Sequence, residues 1–215
     1  MKILIEISFL ILAYLIGSIP FALIITKVFY KKDIREYGSK NMGATNVTRV
    51  FGIKVGIIVF LLDAIKGSLV LALFNYGIIN RTLISHIPLI ALGLSSTIGH
   101  IFPIFANFKG GKGVACTAGI LAFYNPISFI IVLTIFLITV AITKYVSVGS
   151  ILLILSAFIL SFFIPPINHS SIDVFYTIYC GLLLVVLIIT HRKNIVRLFN
   201  GTESKISKGF FSSKE

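Results

Sequence analysis

Apolar residues run along this chain in long stretches separated by short polar islands. Five runs reach the roughly 17 to 20 apolar residues that a bilayer core requires: Ile3 to Ile25, Gly52 to Phe74, His86 to Phe105, Ser147 to Ile164 and Val174 to Thr190. A sixth stretch, Val114 to Thr143, carries Asn125-Pro126 at its middle. Proline removes a backbone donor and pushes the preceding residue out of helix. The pattern therefore predicts two short helices there, each about 18 to 25 Å long at 1.5 Å per residue.

Glycines, lysines and small polar residues gather into three islands: GSKNMGATNVTR (Gly38 to Arg49), GHIFPIFANFKGGKG (Gly99 to Gly113) and HRKNIVRLFNGTE (His191 to Glu203). After His191, Ile195, Leu198 and Phe199 alternate with Arg192, Lys193 and Arg197 in the manner of a short amphipathic helix on a membrane surface, closed by Asn200-Gly201.

Composition agrees with a membrane setting. The 215 residues are 57% hydrophobic and 12% charged, against about 25% charged in soluble proteins, and mean hydropathy is +1.05. The expected fold is an all-α integral membrane protein forming one domain over residues 1–215. The first run has a single preceding lysine and its positive cluster behind it, the reverse of a cleaved signal peptide, so it reads as a retained span.

Charge sets the expected topology. Of the +12 net charge, loop 26–51 holds Lys27, Lys31, Lys32, Arg35, Lys40 and Arg49. Two lysines lie at 109–112, and the tail adds Arg192, Lys193, Arg197, Lys205, Lys208 and Lys214. The opposite loops, Asn75 to Ser85 and Pro165 to Asp173, together contain one basic residue, Arg81. The excess is a positive-inside signal rather than a nucleic-acid surface, and it puts all three islands in the cytoplasm. Parity then requires Val114 to Thr143 to leave the cytoplasm and return. The expectation is about seven transmembrane helices, the fourth and fifth short, with the N-terminus outside and the C-terminus cytoplasmic.

The islands carry the candidate chemistry. Ser39, Asn41, Thr45, Asn46 and Arg49 offer donors around Gly38 and Gly43, where glycine lets backbone N–H groups turn toward an anion. Lys109-Gly110-Gly111-Lys112-Gly113 opens directly into a helical pattern, and a helix N-terminus is itself an anion site. A nucleotide-hydrolysing loop is not indicated, because Gly113 follows Lys112 where Ser or Thr belongs. The seven acidic residues are scattered, with no paired aspartates to hold magnesium; Asp63 and Lys66, one turn apart, read as an ion pair within a span. Chemistry without metal or cofactor is expected.

Cys116 and Cys180 have no CxxC spacing and read as buried thiols. His86 and His169 fall in outer loops and read as incidental. His100 is either a capping residue near the interface or part of the substrate site, and His191, at the cytoplasmic end of the last span, is the best candidate for proton handling or substrate orientation. Glu203 is expected to pair with a basic residue of another island. No serine stands in a nucleophile elbow, so either the substrate arrives activated or the chain is not an enzyme.

Together G-S-x-N-x-G-A-T-N-V-x-R, G-H-x-F-P-x-F-x-x-F-K-G-G-K-G-V-A and H-R-x-N-I-x-R-L-x-x-G-x-E resemble the three cytoplasmic motifs of the bacterial glycerol-3-phosphate acyltransferases that use acyl phosphate. The similarity covers nearly the whole chain, including Lys144 to Ser150. The HxxxxD signature of the unrelated acyltransferases is missing: the fifth residues after the four histidines are Ala91, Phe105, Val174 and Val196.

The resemblance implies transfer of a fatty acyl group from acyl phosphate to the 1-hydroxyl of sn-glycerol 3-phosphate, giving lysophosphatidic acid and inorganic phosphate at the bacterial inner membrane. It implies that Ser39, Arg49, Lys109, His191 and Asn194 hold glycerol phosphate. Thr45, Asn46, Ser147, Gly110, Gly111 and Gly113 would suit the donor phosphate, and Lys112 belongs to the catalytic set. Gly38, Asn41, Gly43, His100, Arg197 and Glu203 complete the substrate-binding set. The attacking hydroxyl's proton passes either to His191 or to a phosphate oxygen of the substrates; the second is favoured, since a histidine amid cations is a weak base. The family also implies a monomer in the lipid bilayer, working beside an enzyme that makes acyl phosphate and a second acyltransferase. The rival reading is a small phosphate or organic-anion transporter, against which stand the lack of an internal repeat and the clustering of charge on one face.

Overall fold

The computed structural model describes residues 2–206, which form ten α-helices joined by three short 3-10 turns. Lys208 and Lys214 lie outside the described residues. The described chain falls into two compact units, 2–123 and 124–206.

In the first unit, the opening apolar run is two helices rather than one continuous helix: α1 (Lys2–Gly17) and α2 (Phe21–Tyr30). Pro20 cannot donate a backbone hydrogen bond, and the chain turns through Ser18 and Ile19, whose freed carbonyl needs a donor. Lys66 supplies one: its Nζ donates to the Ile19 carbonyl at 2.6 Å, beside the Phe21 N–H at 3.1 Å. The first island is also partly helical, since α3 (Ala44–Phe51) is bounded by Gly43 and Gly52.

The longest helix, α4 (Ile53–Asn75), spans about 35 Å at 1.5 Å per residue. The third expected span is only twelve residues of helix, α5 (Ile90–Ile101), because residues 81–84 form a 3-10 turn before it and Phe102-Pro103 ends it. Shortness is offset by intimate packing. Gly17 of α1 lies against the Ser96 carbonyl and Gly99 of α5 against the Tyr14 carbonyl, so a methyl group at either position would collide with backbone. Ser95 Oγ and Tyr14 Oη then donate across the contact, to Leu10 and Phe102 carbonyls at 2.7 and 2.9 Å. His86 is not incidental: its N–H and Nδ1 both meet the buried Glu6 carboxylate, at 2.8 and 3.0 Å. The unit closes with α6 (Val114–Tyr124).

Asn125-Pro126 breaks the sixth stretch as expected, with the Asn125 side chain accepting from Ser128 N–H at 3.1 Å. The halves are unequal, however. α6 has 11 residues, whereas α7 (Pro126–Thr143) has 18 and is long and apolar enough to be a span, so only the first half is short. In the second unit α7 packs on α8 (Val146–Leu160), and α8 on α9 (Val174–Thr190). Asp173 caps α9 by accepting from Phe175 and Tyr176 N–H groups, and it also accepts from Tyr124 Oη at 2.5 Å. His169 lies 3.8 Å from the same carboxylate, which gives it a partner too. The amphipathic segment is α10 (Arg192–Phe199), bent 58° from α9 at His191, with Phe199 88% exposed.

Only 17% of α7 is buried, and large apolar side chains such as Ile3, Leu4, Ile57, Ile142 and Val185 point outward. Apolar area on this scale is stable against lipid and not against water. Among the described residues, three helical stretches are long and apolar enough to cross, Lys2–Tyr30 (taken across its break), α4 and α7, and the bent α9 and α10 pair, taken as one span, makes a fourth.

Candidate active site

The first island is built around Asn46. This side chain is buried on α3, and its amide donates to the Tyr37 and Asn41 carbonyls, each at 3.0 Å, with a longer contact to Ile34 at 3.4 Å. Its oxygen accepts from Ser39 N–H at 2.7 Å. Asn46 thus folds the loop that presents Ser39, whose side chain is exposed, and its polar atoms are engaged by the protein itself. Gly38, at φ +57°, fits beside it, since a Cβ there would strike the Asn46 oxygen. Thr45 and Arg49 are half-buried on the same helix, and Asn41 and Gly43 flank its start.

Ahead of this loop stands a feature that the sequence reading passed over. Asp33 caps a 3-10 turn by accepting from Arg35 N–H at 3.0 Å, grips the Arg35 guanidinium at 2.9 and 2.6 Å, and lies 3.2 Å from Lys27 Nζ. The guanidinium hydrogen bonds hold the Asp33 carboxyl well below the usual carboxylate range, and the pairing raises Arg35 in turn. The readable signal was Asp33-x-Arg35, two residues ahead of Gly38-Ser39.

Arg35, Lys40 and Lys109 line one open basin of about 480 Å³ together with Asp33, Glu36, Met42 and Gly110. The first and second islands therefore meet, with three cations against two carboxylates, one of which is held by Arg35. Of the expected site residues, Lys109 and Gly110 line this basin.

Lys109-Gly113 is a pinned loop. Asn107 and Phe108 take the left-handed conformation, at φ 54° and 57°, which costs of order 1 to 3 kcal/mol at a non-glycine residue. Phe108 N–H donating to the Pro103 carbonyl (2.9 Å) and Lys109 N–H to that of Ala106 (3.2 Å) hold it. Gly110 presses on the His100 and Ile101 carbonyls, Gly111 N–H donates to the His100 carbonyl at 3.1 Å, and the Gly111 Cα sits against the His100 ring. From Gly113 the chain enters α6, where Thr117 N–H returns to the Gly113 carbonyl at 2.9 Å. The positive end of α6 and the two lysines, Lys109 exposed and Lys112 half-buried, converge on this loop. His100 itself is buried beneath it.

In the second unit the third island gathers on Glu203. Its buried carboxylate accepts from Asn194 Nδ2 at 2.7 Å, Ser147 Oγ at 3.1 Å and Arg197 Nε at 2.6 Å. The basic partner, Arg197, belongs to the same island and not to another one. Burial pushes the Glu203 carboxyl up, but the hydrogen bonds from Arg197, Asn194 and Ser147 outweigh it and leave the group below its ordinary value. His191 is buried at the α9–α10 bend, with Nδ1 3.0 Å from the Leu187 carbonyl, to which it donates.

Residues 7–201 match the family model described as glycerol-3-phosphate acyltransferase. Among named relatives, glycerol-3-phosphate acyltransferase 2 of Bacillus anthracis is 46% identical over 197 residues, 92% of this chain and 97% of that protein. The glycerol-3-phosphate acyltransferase of Finegoldia magna is 43% identical over 204 residues, 92% and 94% of the two chains. Crystal structures of PlsY (YgiH), an integral membrane glycerol 3-phosphate acyltransferase, share the fold. Its glycerol 3-phosphate form superposes with a TM-score of 0.83 at 34% identity, covering 94% of this chain and 96% of that one. Its lysophosphatidic acid form gives 0.80 at 33%, covering 94% and 95%. With its motifs, its lipid-facing helices and these relatives, the chain belongs to the membrane-integral, PlsY-type family of glycerol-3-phosphate acyltransferases and is a multi-pass membrane protein.

Proposed function

We propose that this protein transfers a fatty acyl group from acyl phosphate to the 1-hydroxyl of sn-glycerol 3-phosphate, releasing lysophosphatidic acid and inorganic phosphate. The observation that carries this reading is the Lys109–Gly113 loop, fixed on α5 at the N-terminus of α6 and opening beside the cationic basin. A phosphate-bearing donor and a phosphate-bearing acceptor are the ligands that such a site suits. The acceptor and the product correspond to the ligands named for the two PlsY forms.

In the proposed reaction the 1-hydroxyl oxygen attacks the acyl carbonyl carbon, and the bond from that carbon to the phosphate oxygen breaks. An acyl phosphate is a mixed anhydride with a good leaving group, so orientation and charge stabilisation can supply much of the acceleration. The hydroxyl proton goes to a phosphate oxygen of the substrates; His191, whose Nδ1–H is held by the Leu187 carbonyl, keeps Nε2 as a hydrogen-bond acceptor that orients the attacking hydroxyl. In the first unit Ser39, Arg49 and Lys109 orient the acceptor; in the second, His191 and Asn194 are the residues that the family resemblance assigns to glycerol phosphate. Lys112, Thr45 and the backbone at Gly110, Gly111 and Gly113 take the donor phosphate. Asn46, Ser147 and Glu203 act by holding loops, since their polar atoms bond to backbone or to one another, and Arg197 joins them through its Nε bond to Glu203.

The same reading extends to topology. The α1–α2 pair, α4, α5, α6, α7, α8 and α9 make seven passes of a bacterial inner membrane, N-terminus outside, with the three islands cytoplasmic. The test of function is turnover of palmitoyl phosphate and glycerol 3-phosphate by the purified chain, with both products quantified.

A further inference from the structure

Beneath the phosphate loop lies a buried group of charges. Asp63, Lys66 and His100 are each at most 5% exposed. Lys66 Nζ is 2.7 Å from Asp63 Oδ1 and donates to the Ile19 carbonyl that the α1–α2 break releases. His100 turns Nδ1 toward the same Asp63 oxygen, at 3.6 Å, a charge contact longer than a hydrogen bond, and Nε2 toward Gly111. Further bonds bind the group to its surroundings: Cys116 Sγ donates to the Asp63 carbonyl at 3.2 Å, and Ser96 Oγ to the Lys66 carbonyl at 3.0 Å. A small cavity of about 10 Å³ touches Asp63, Lys66, His100 and Gly111 and reaches Met42 of the first island.

An Asp–His pair suggests a general base, but the geometry argues otherwise. A Cβ built on Gly111 would overlap His100 Nε2, so the ring edge is covered by the loop backbone and has no path to a substrate hydroxyl. Both halves of His100 instead act on one residue: its carbonyl accepts from Gly111 N–H, and its ring supports the Gly111 Cα. A charged group would not be retained under an apolar bundle merely for packing, because burying charge is costly unless it is paired.

We propose that His100 is a positioning residue for the donor-phosphate loop. Asp63 orients its ring, and Lys66 ties that carboxylate to the broken α1–α2 elbow. The ring sets the height of the Gly110–Gly111 backbone, and with it the direction in which the loop's N–H groups and flanking lysines face. Gly111 is glycine because only a hydrogen fits over the ring. This inference rests on assigning the loop to the acyl donor.

The test is a double-variant cycle on full-length protein in detergent or nanodiscs, with thermal melting as a folding control. His100→Ala and Gly111→Ala should each raise the donor KM about tenfold or more while the glycerol 3-phosphate KM moves less than about twofold. In the double variant the missing ring makes room for the new methyl, so its donor KM should fall well short of the product of the single effects. His100→Gln, which returns an amide near the Nε2 position, should recover part of the loss, and it serves in place of His100→Ala if that variant does not fold. Multiplicative losses in the double variant, or a fall in kcat with both KM values unchanged, would overturn the inference. Coupling is read on whichever acyl donor supports turnover, so failure of the acyl-phosphate reading and failure of loop positioning give different results.

Discussion

Glu203 and Asn194, nine residues apart, share a 2.7 Å hydrogen bond in which the amide donates to the carboxylate. Ser147 and Arg197 donate to the same group, so one buried acid ties the start of α8 to the end of α10. Its lowered pKa means that folding favours the ionised form. The stability that it adds is fully present above the ordinary value of 4.5 and is lost as pH falls through the lower folded value. Glu203→Gln should cost about 1 to 3 kcal/mol at neutral pH and flatten the acid limb of the stability profile, checked by thermal melting in detergent between pH 7 and pH 3.

Asn46 plays the matching part in the first island. Asn46→Asp keeps the acceptor for Ser39 N–H and loses the amide that donates to Tyr37 and Asn41. It should destabilise the protein by about 1 to 3 kcal/mol and raise the KM for glycerol 3-phosphate by loosening Ser39. An unchanged KM in a folded variant would separate this loop from the acceptor site.

Arg49→Ala and Lys112→Ala should leave folding intact and lower kcat/KM by about 10²-fold or more, the scale expected when a preorganised charge-stabilising group is removed. Steady-state rates with each substrate varied in turn measure this. Wild-type rates in either variant would remove that residue from the site.

Topology can be read with single cysteines, because Cys116 and Cys180 are buried and contribute little background. Ile78, 73% exposed between α4 and α5, should label from outside as Ile78→Cys. Lys32→Cys, also at an exposed position, should label only once the membrane is opened. Outside labelling of Lys32→Cys in sealed cells would reverse the proposed orientation.

Residue type and spacing made much of the molecule legible. The long α4, the break at Asn125-Pro126, the amphipathic α10 and the Lys109–Gly113 entry into α6 follow from periodicity, proline and glycine. The break at Ser18–Pro20 was missed because the apolar run around it passes a hydropathy test; its cost is met by Lys66, 47 residues away, which no local pattern reveals. The same limit hid the role of His100: the sequence places it near KGGKG, but only the fold shows the ring beneath Gly111. The Glu203 partner was sought in another island because proximity in space was inferred from charge alone, whereas the α10 turn already brings Arg197 within 2.6 Å.

The reaction turns on the identity of the acyl donor. Purified protein given palmitoyl phosphate and glycerol 3-phosphate, in the presence of a chelator, should form lysophosphatidic acid and inorganic phosphate in equal amounts and should give no product with palmitoyl-CoA. Turnover with palmitoyl-CoA but none with palmitoyl phosphate would rule out acyl phosphate as the donor, and binding of glycerol 3-phosphate without any turnover would point instead to an anion carrier.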